Sequence, residues 1–220
     1  MSISGIDMAH HQILRKRLVD EVRSKGITDE RVLAALEDIP RHFFISEEKQ
    51  DFAYWDKPIP IGESQTISQP YTVAYQSELL HVLPGDRILE IGTGSAYQAC
   101  VLAEMGAEVF TIERQKKLFA KYQKSPYLNE FKNIHFFYGD GHDGLPALAP
   151  FDKILITAAA PSVPPVLVEQ LKPGGCMVLP LGSIEQSQMM VRITKSPDGS
   201  LVKEAFNQFN FVRMLQGTKE

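Results

Sequence analysis

Ile88-Leu89-Glu90-Ile91-Gly92-Thr93-Gly94-Ser95-Ala96 is the stretch on which the fold turns. An apolar run of strand type ends in two closely spaced glycines, and Tyr97–Met105 beyond them reads as a helix. Glycines are needed there because the turn is tight and a ligand lies against the backbone, where a Cβ would clash. The helix start beyond it offers free N–H groups. Ala96 stands where a third glycine is common, and the helix start is expected to absorb the change. Taken alone, a Gly-x-Gly turn is equally a structural β-turn. Its place between strand and helix is what favours a nucleotide-type ligand, bound at the carboxyl end of a sheet strand.

The pattern on either side extends that reading. Strands are expected at Arg87–Ile91, Glu108–Glu113, His135–Tyr138, Lys153–Thr157, Met177–Leu181, Met189–Thr194 and Phe206–Leu215. Helices fall between most of them, at about 71–83, 97–105, 114–124 and 163–171. This alternation predicts an α/β protein with a doubly wound, mostly parallel seven-stranded sheet. Pro197-Asp198-Gly199 sets the last two strands up as a hairpin. Upstream, Leu14, Leu18 and Val22 mark one helix, and Val32, Leu33 and Leu36 a second, capped by Thr28 and stopped by Pro40. Residues 42–70 keep neither period but carry many aromatics, so they read as an ordered functional loop. The chain therefore divides into N-terminal helices and an ordered functional loop over 1–70, packed on an α/β unit over 71–220 as one compact body.

Glu113 closes the second strand about twenty residues past the turn, where an acid grips ribose hydroxyls. That suits a nicotinamide dehydrogenase and a methyltransferase equally. Glu90 separates them, because an acid directly before the turn suits a cationic sulfonium and would repel a pyrophosphate. Composition excludes other classes. A net charge of −4 leaves no basic footprint for nucleic acid. No window approaches the ~18 apolar residues of a membrane span, and Met1–His11 shows no signal-peptide pattern. Cys100 and Cys176 form no Cys-x-x-Cys pair, so two buried thiols in a cytoplasmic protein are expected. His10, His11, His42, His81, His135 and His142 show no metal-ligand spacing, and no metal is expected.

Several segments together resemble the protein-L-isoaspartate O-methyltransferase family, over nearly the whole chain. They are Ile39–Phe44, Pro60–Gly62, Gln65–Tyr71, Leu89–Ser95, Ile112–Arg114, Gly139–Gly141, Thr157–Pro161 and Leu171–Gly175. The glycine turn is common to many methyltransferases, whereas Thr66–Pro70 with Thr157–Pro161 is far more specific. The resemblance implies a Rossmann-like class I methyltransferase that uses S-adenosyl-L-methionine on the free carboxyl of L-isoaspartyl residues, with D-aspartyl residues as a further class. It also implies damaged peptides and proteins as partners, and a monomer. Ser68 matches the active-site serine, with Thr66 and Gln69 on the same loop and Ala159 and Pro161 at the substrate mouth. Glu90, Gly92, Thr93, Gly94 and Ser95 would hold the methionine part of the cofactor, Glu113 its ribose, and Asp140 with Gly141 its adenine, with Arg114 also among the cofactor-binding residues. Departures from the family pattern are Ala96, Glu63-Ser64, and Arg213 where proline is common.

An isoaspartyl carboxyl, with a pKa near ~4, is already a nucleophile at neutral pH and needs no general base. Ser68 would therefore orient it, and most of the rate would come from holding two reactants together, up to ~7–11 kcal/mol. Two rivals stand beside this reading. A methyltransferase for another nucleophile would want a base or a basic groove. A non-catalytic binding module would not need the intact Gly92-Thr93-Gly94 turn, Glu113 and Asp140.

Overall fold

The computed structural model describes residues 6–183 and 185–220. Two helices lead the chain, α1 (Ala9–Ser24) and α2 (Glu30–Asp38). Helix α1 buries Leu18, Val19 and Val22, while Leu14 stands exposed. Asp29, not Thr28, caps α2 by accepting from the Arg31 N–H at 3.0 Å. Thr28 is occupied elsewhere, its N–H and hydroxyl both donating to Glu78. Helix α2 ends as expected, with Ile39 as its C-cap ahead of Pro40.

The stretch read as irregular, 42–70, holds more structure than its sequence period showed. It contains 3-10 turns at Arg41–Phe44 and Glu47–Phe52, then a hairpin of β1 (Ile59–Gly62) and β2 (Gln65–Ile67). The strands are only four and three residues long, too short for an alternation to register. Glu63 and Ser64, the odd pair in the sequence, form the tip with φ of 50° and 57°. Two successive left-handed residues match the twist of a tight hairpin.

Helix α3 (Pro70–Leu80) opens the α/β unit, followed by β3 (Arg87–Ile91), α4 (Tyr97–Glu104), β4 (Glu108–Glu113) and α5 (Lys116–Gln123). Next come β5 (Ile134–Tyr138), β6 (Phe151–Ile156), α6 (Pro165–Glu169), β7 (Leu171–Leu181), β8 (Gln188–Lys195) and β9 (Leu201–Phe209). The sheet runs β5-β4-β3-β6-β7-β8-β9. Its first five strands are parallel, and β8 and β9 follow antiparallel in chain order. Seven strands and a mostly parallel body were expected, and both are present.

Two strand limits are corrected. Pro173-Gly174-Gly175, read as a turn, lies within β7, where the pairing to β6 shifts register. The last strand spans Leu201–Phe209 and not 206–215, because the chain pairs with β8 directly after the Ser196–Gly199 reversal. Residues beyond Phe209 leave the sheet edge and cross back to Ala159. The Ala159 N–H donates to the Val212 carbonyl at 2.7 Å and the Met214 N–H to the Ala159 carbonyl at 2.9 Å. That return places the C-terminal segment over the carboxyl ends of β3 and β6, where the strand order reverses direction.

One apolar cluster joins Leu18, Leu36, Val73, Leu102 and Val178, so α1 and α2 share a core with one face of the sheet. Burying a leucine such as Leu33 or Leu36 contributes about 1.5–3 kcal/mol, enough to hold the helices and the loop behind them against the sheet. No helix among the described residues is long and apolar enough to cross a membrane.

Candidate active site

A cavity of about 840 Å³, open solvent at its mouth included, lies over the β3 and β6 ends. Four segments line it: 65–68 of the hairpin, 91–95 of the turn, 112–115 after β4, and 212–215 of the returning tail. Thr157 ties the strand ends together, its hydroxyl donating to the Ile91 and Gly92 carbonyls at 2.9 and 2.8 Å. A Cβ at Gly92 would sit 2.6 Å from that hydroxyl oxygen, so this glycine is required by packing as well as by its φ of 100°. Ala96, in contrast, adopts φ 68° with a full side chain. The helix start absorbs the missing glycine by holding an alanine in the left-handed region.

Glu113 supplies the cavity with a nearly buried carboxylate. One oxygen accepts from the Gly94 N–H at 2.9 Å and the other from Gln115 N–H at 2.7 Å. Burial pushes its pKa up, against the pull of those N–H bonds. Each oxygen retains a lone pair for a hydroxyl of a bound ligand.

Glu90 is placed differently from the sequence reading. Neighbouring residues of a strand face opposite sides, so Ile91 lines the cavity and Glu90 does not. Its carboxyl is fully buried beside Thr111, whose hydroxyl donates to Oε2 at 2.5 Å, while Oε1 has no partner among the described residues. Burial raises its pKa to about 8. The acid that faces the cavity directly is Glu113. Glu90 reaches it only through Thr111 and Thr93, whose hydroxyl oxygens lie 2.7 Å apart.

The Ser68 segment is held from behind by buried charge. Arg41 is wholly buried, stacks over the Tyr97 ring at 4.8 Å and donates to the Ser68 carbonyl at 2.7 Å. Burial lowers its pKa to about 10, opposed by Tyr97 and Asp56, so it stays cationic at neutral pH. Asp56 accepts from the Gln69 side chain at 2.9 Å, the Tyr71 N–H at 2.7 Å and Lys25. The Ser68 hydroxyl makes no hydrogen bond to a described residue and lies at the cavity wall.

The sequence candidates thus separate. Thr66, Ser68, Gly92, Thr93, Gly94, Ser95, Glu113, Arg114 and Gly141 line one cavity. Gln69 turns to Asp56, Ala159 is locked in backbone pairing, and Pro161 is exposed outside the lining. Asp140 accepts from the Gly217 N–H, and Arg114 donates to the Gly217 and Gln216 carbonyls, so both anchor the tail. The sequence reading missed Gln65 and Gln115, and it singled out Arg213 as a departure from the family pattern without placing the tail 212–215 in the lining. The tail lies about 120 residues beyond the glycine turn, and no local pattern links them. It also missed a group at the N-terminus, where ligand atoms of Asp7, His11 and His42 lie within 4.8 Å of one another. Arg15 already donates to both oxygens of that aspartate, at 3.0 and 3.1 Å.

Known proteins share this chain's sequence and fold. The family model for protein-L-isoaspartate(D-aspartate) O-methyltransferase matches residues 13–219. The chain belongs to the protein-L-isoaspartate O-methyltransferase family. The Flavobacterium johnsoniae protein-L-isoaspartate O-methyltransferase is 50% identical over 96% of this chain and 98% of its own. The Cytophaga hutchinsonii protein of the same name is 49% identical over 93% and 92%. A solved protein-L-isoaspartate O-methyltransferase superposes with a TM-score of 0.81 at 27% identity, over 90% of this chain and 65% of that longer one. The Plasmodium falciparum member, in complex with S-adenosyl-L-homocysteine, gives 0.79 at 25% identity over 91% and 98%. Family membership makes the chain an S-adenosylmethionine-dependent methyltransferase. The cavity is compatible with that cofactor: its glycine turn admits close approach of a ligand, and the buried Glu113 carboxylate keeps acceptor capacity for hydroxyls.

Proposed function

We propose that this chain methylates the free carboxyl of L-isoaspartyl residues in damaged proteins, with D-aspartyl residues as a further class, and so begins their repair. One observation carries the reading: Ser68 and the Gly92–Ser95 turn line the same cavity. When bound, S-adenosylmethionine supplies an electrophilic methyl group on a sulfonium. Gly92, Thr93, Gly94 and Ser95 would hold its methionine part, Glu113 its ribose, and Gly141 with the 112–115 backbone its adenine. Asp140 and Arg114 serve that end by fixing the tail, and Glu90 acts at one remove through Thr111 and Thr93.

Ser68 would donate its hydroxyl to one oxygen of the substrate carboxylate and leave the other free to attack. Arg41 holds Ser68 by the carbonyl and does not itself line the cavity. The arrangement suits the chemistry, because a guanidinium bound directly to the carboxylate would stabilise the charge that the reaction must remove. Thr66 lies beside the same mouth. Gln69 would act by holding the loop on Asp56, and Ala159 by holding the tail. Pro161 would border the peptide outside the cavity. The hairpin side and the tail line the cavity from two directions and would shield the reactants from water, and charge neutralisation on transfer benefits from a dry site.

The working unit we propose is a single chain in which the described part of the 1–70 segment, from Ile6 onward, packs as an extension on the Rossmann-like unit 71–220. Two buried free thiols, Cys100 and Cys176, support a reducing, cytoplasmic setting. Neither nucleic acid nor membrane enters the proposal, in keeping with the net charge of −4. The test uses labelled cofactor with matched peptides carrying Asp or isoAsp at one position. Base-labile label on the isoAsp peptide alone supports the reading; label on neither sinks it and turns attention to another nucleophile.

A further inference from the structure

Arg213 lines the cavity from the returning tail, exposed at its mouth. Its backbone is fixed on one side only. Ala159 bonds to Val212 and Met214, the residues flanking it, which leaves the N–H and carbonyl of Arg213 facing outward. Neither those groups nor the guanidinium has a hydrogen-bond or ion-pair partner among the described residues. The other cation that lines the cavity is engaged, as are three lysines of the adjoining segments. Arg114 is taken up by tail carbonyls, Lys116 by Glu220, and Lys117 and Lys219 by Glu63 at the hairpin tip, at 3.3 and 3.6 Å. One positive side chain and one free backbone edge therefore stand together on the lining of the cavity that also holds Ser68.

We propose that Arg213 forms a subsite for an acidic side chain next to the isoaspartyl residue, so that the enzyme favours damage sites flanked by Asp or Glu. This rests on the isoaspartyl reading above. The outward N–H and carbonyl would meet an extended peptide backbone as an added strand does, and the guanidinium would then reach the carboxylate of a neighbouring residue. An exposed pair of this kind is modest, worth a few-fold, and weakens with salt.

The experiment compares isoAsp peptides bearing Glu, Gln or Lys on either side of the isoaspartyl residue. Binding is read by fluorescence anisotropy with S-adenosylhomocysteine present, and kcat/KM in parallel. The Glu peptides should bind about three- to five-fold more tightly than the Lys peptides at low salt. R213Q should abolish the difference and R213E reverse it, with S-adenosylhomocysteine affinity unchanged in both. Equal affinities for Glu and Lys peptides, or a preference that survives R213Q and R213E, would overturn the subsite and leave isoaspartyl methylation standing. Failure to methylate every isoAsp peptide, alongside normal S-adenosylhomocysteine binding, would overturn the underlying reading itself.

Discussion

Replacing Glu90 with glutamine removes a buried ionisable group while keeping its shape, and the structure sets the size of the effect. The folded-state pKa is raised from 4.5 to about 8, chiefly by burial. Below pH 4.5 both folded and unfolded forms hold the proton, and Glu90 costs nothing. As pH rises towards 8 the unfolded chain ionises while the folded one keeps its proton, so stability falls by about 1.4 kcal/mol per pH unit. Above the folded pKa the loss is complete, at about 5 kcal/mol. Between pH 5.5 and 8.5 the wild-type protein should therefore lose roughly 3 kcal/mol of unfolding free energy relative to Glu90→Gln. Urea titration of the cofactor-free protein at three pH values reads this directly. Curves that stay parallel for the two proteins would refute a protonated Glu90. The same group should answer to the sulfonium charge through Thr111 and Thr93. Calorimetry in two buffers of different ionisation enthalpy should show more proton release on binding S-adenosylmethionine than S-adenosylhomocysteine. Equal release would remove Glu90 from the electrostatics of the cofactor.

Other substitutions test single parts of the site. Ser68→Ala should lower kcat while the dissociation constant for S-adenosylhomocysteine stays within about twofold, since Ser68 would contact only the substrate; a large loss of cofactor affinity would contradict that role. Glu113→Ala should do the reverse, weakening S-adenosylhomocysteine by about 1.5–3 kcal/mol in calorimetry, and unchanged binding would take Glu113 out of the ribose site. Ala96→Gly should relieve the strain of an alanine at φ 68° and stabilise the protein by about 1 kcal/mol. Thermal unfolding should rise by roughly 2–4 °C, and a lower midpoint would show that the Ala96 methyl contributes more by packing than it costs in strain.

The amino-acid sequence by itself determined what depends on local period and turn chemistry. The β3 strand, the glycine turn, the α/β alternation and Glu113 at the end of β4 could be read directly, because each is written within a few neighbouring residues. The family resemblance reached Ser68 in the same way, through a contiguous motif. Short elements were harder to read. The 59–67 hairpin has strands of three and four residues, and its left-handed Glu63-Ser64 tip follows no common turn composition. Tertiary structure alone decided which side of each element faces the ligand. Strand alternation took Glu90 out of the cavity, and Asp56 drew the Gln69 side chain to itself. Only the tertiary structure, too, could bring Arg213 from the end of the chain to Ala159, because backbone hydrogen bonds between distant segments leave no periodic trace in either one. The glycine turn made a cofactor site legible, and the folding of the hairpin and the tail over it decided what else faces that site.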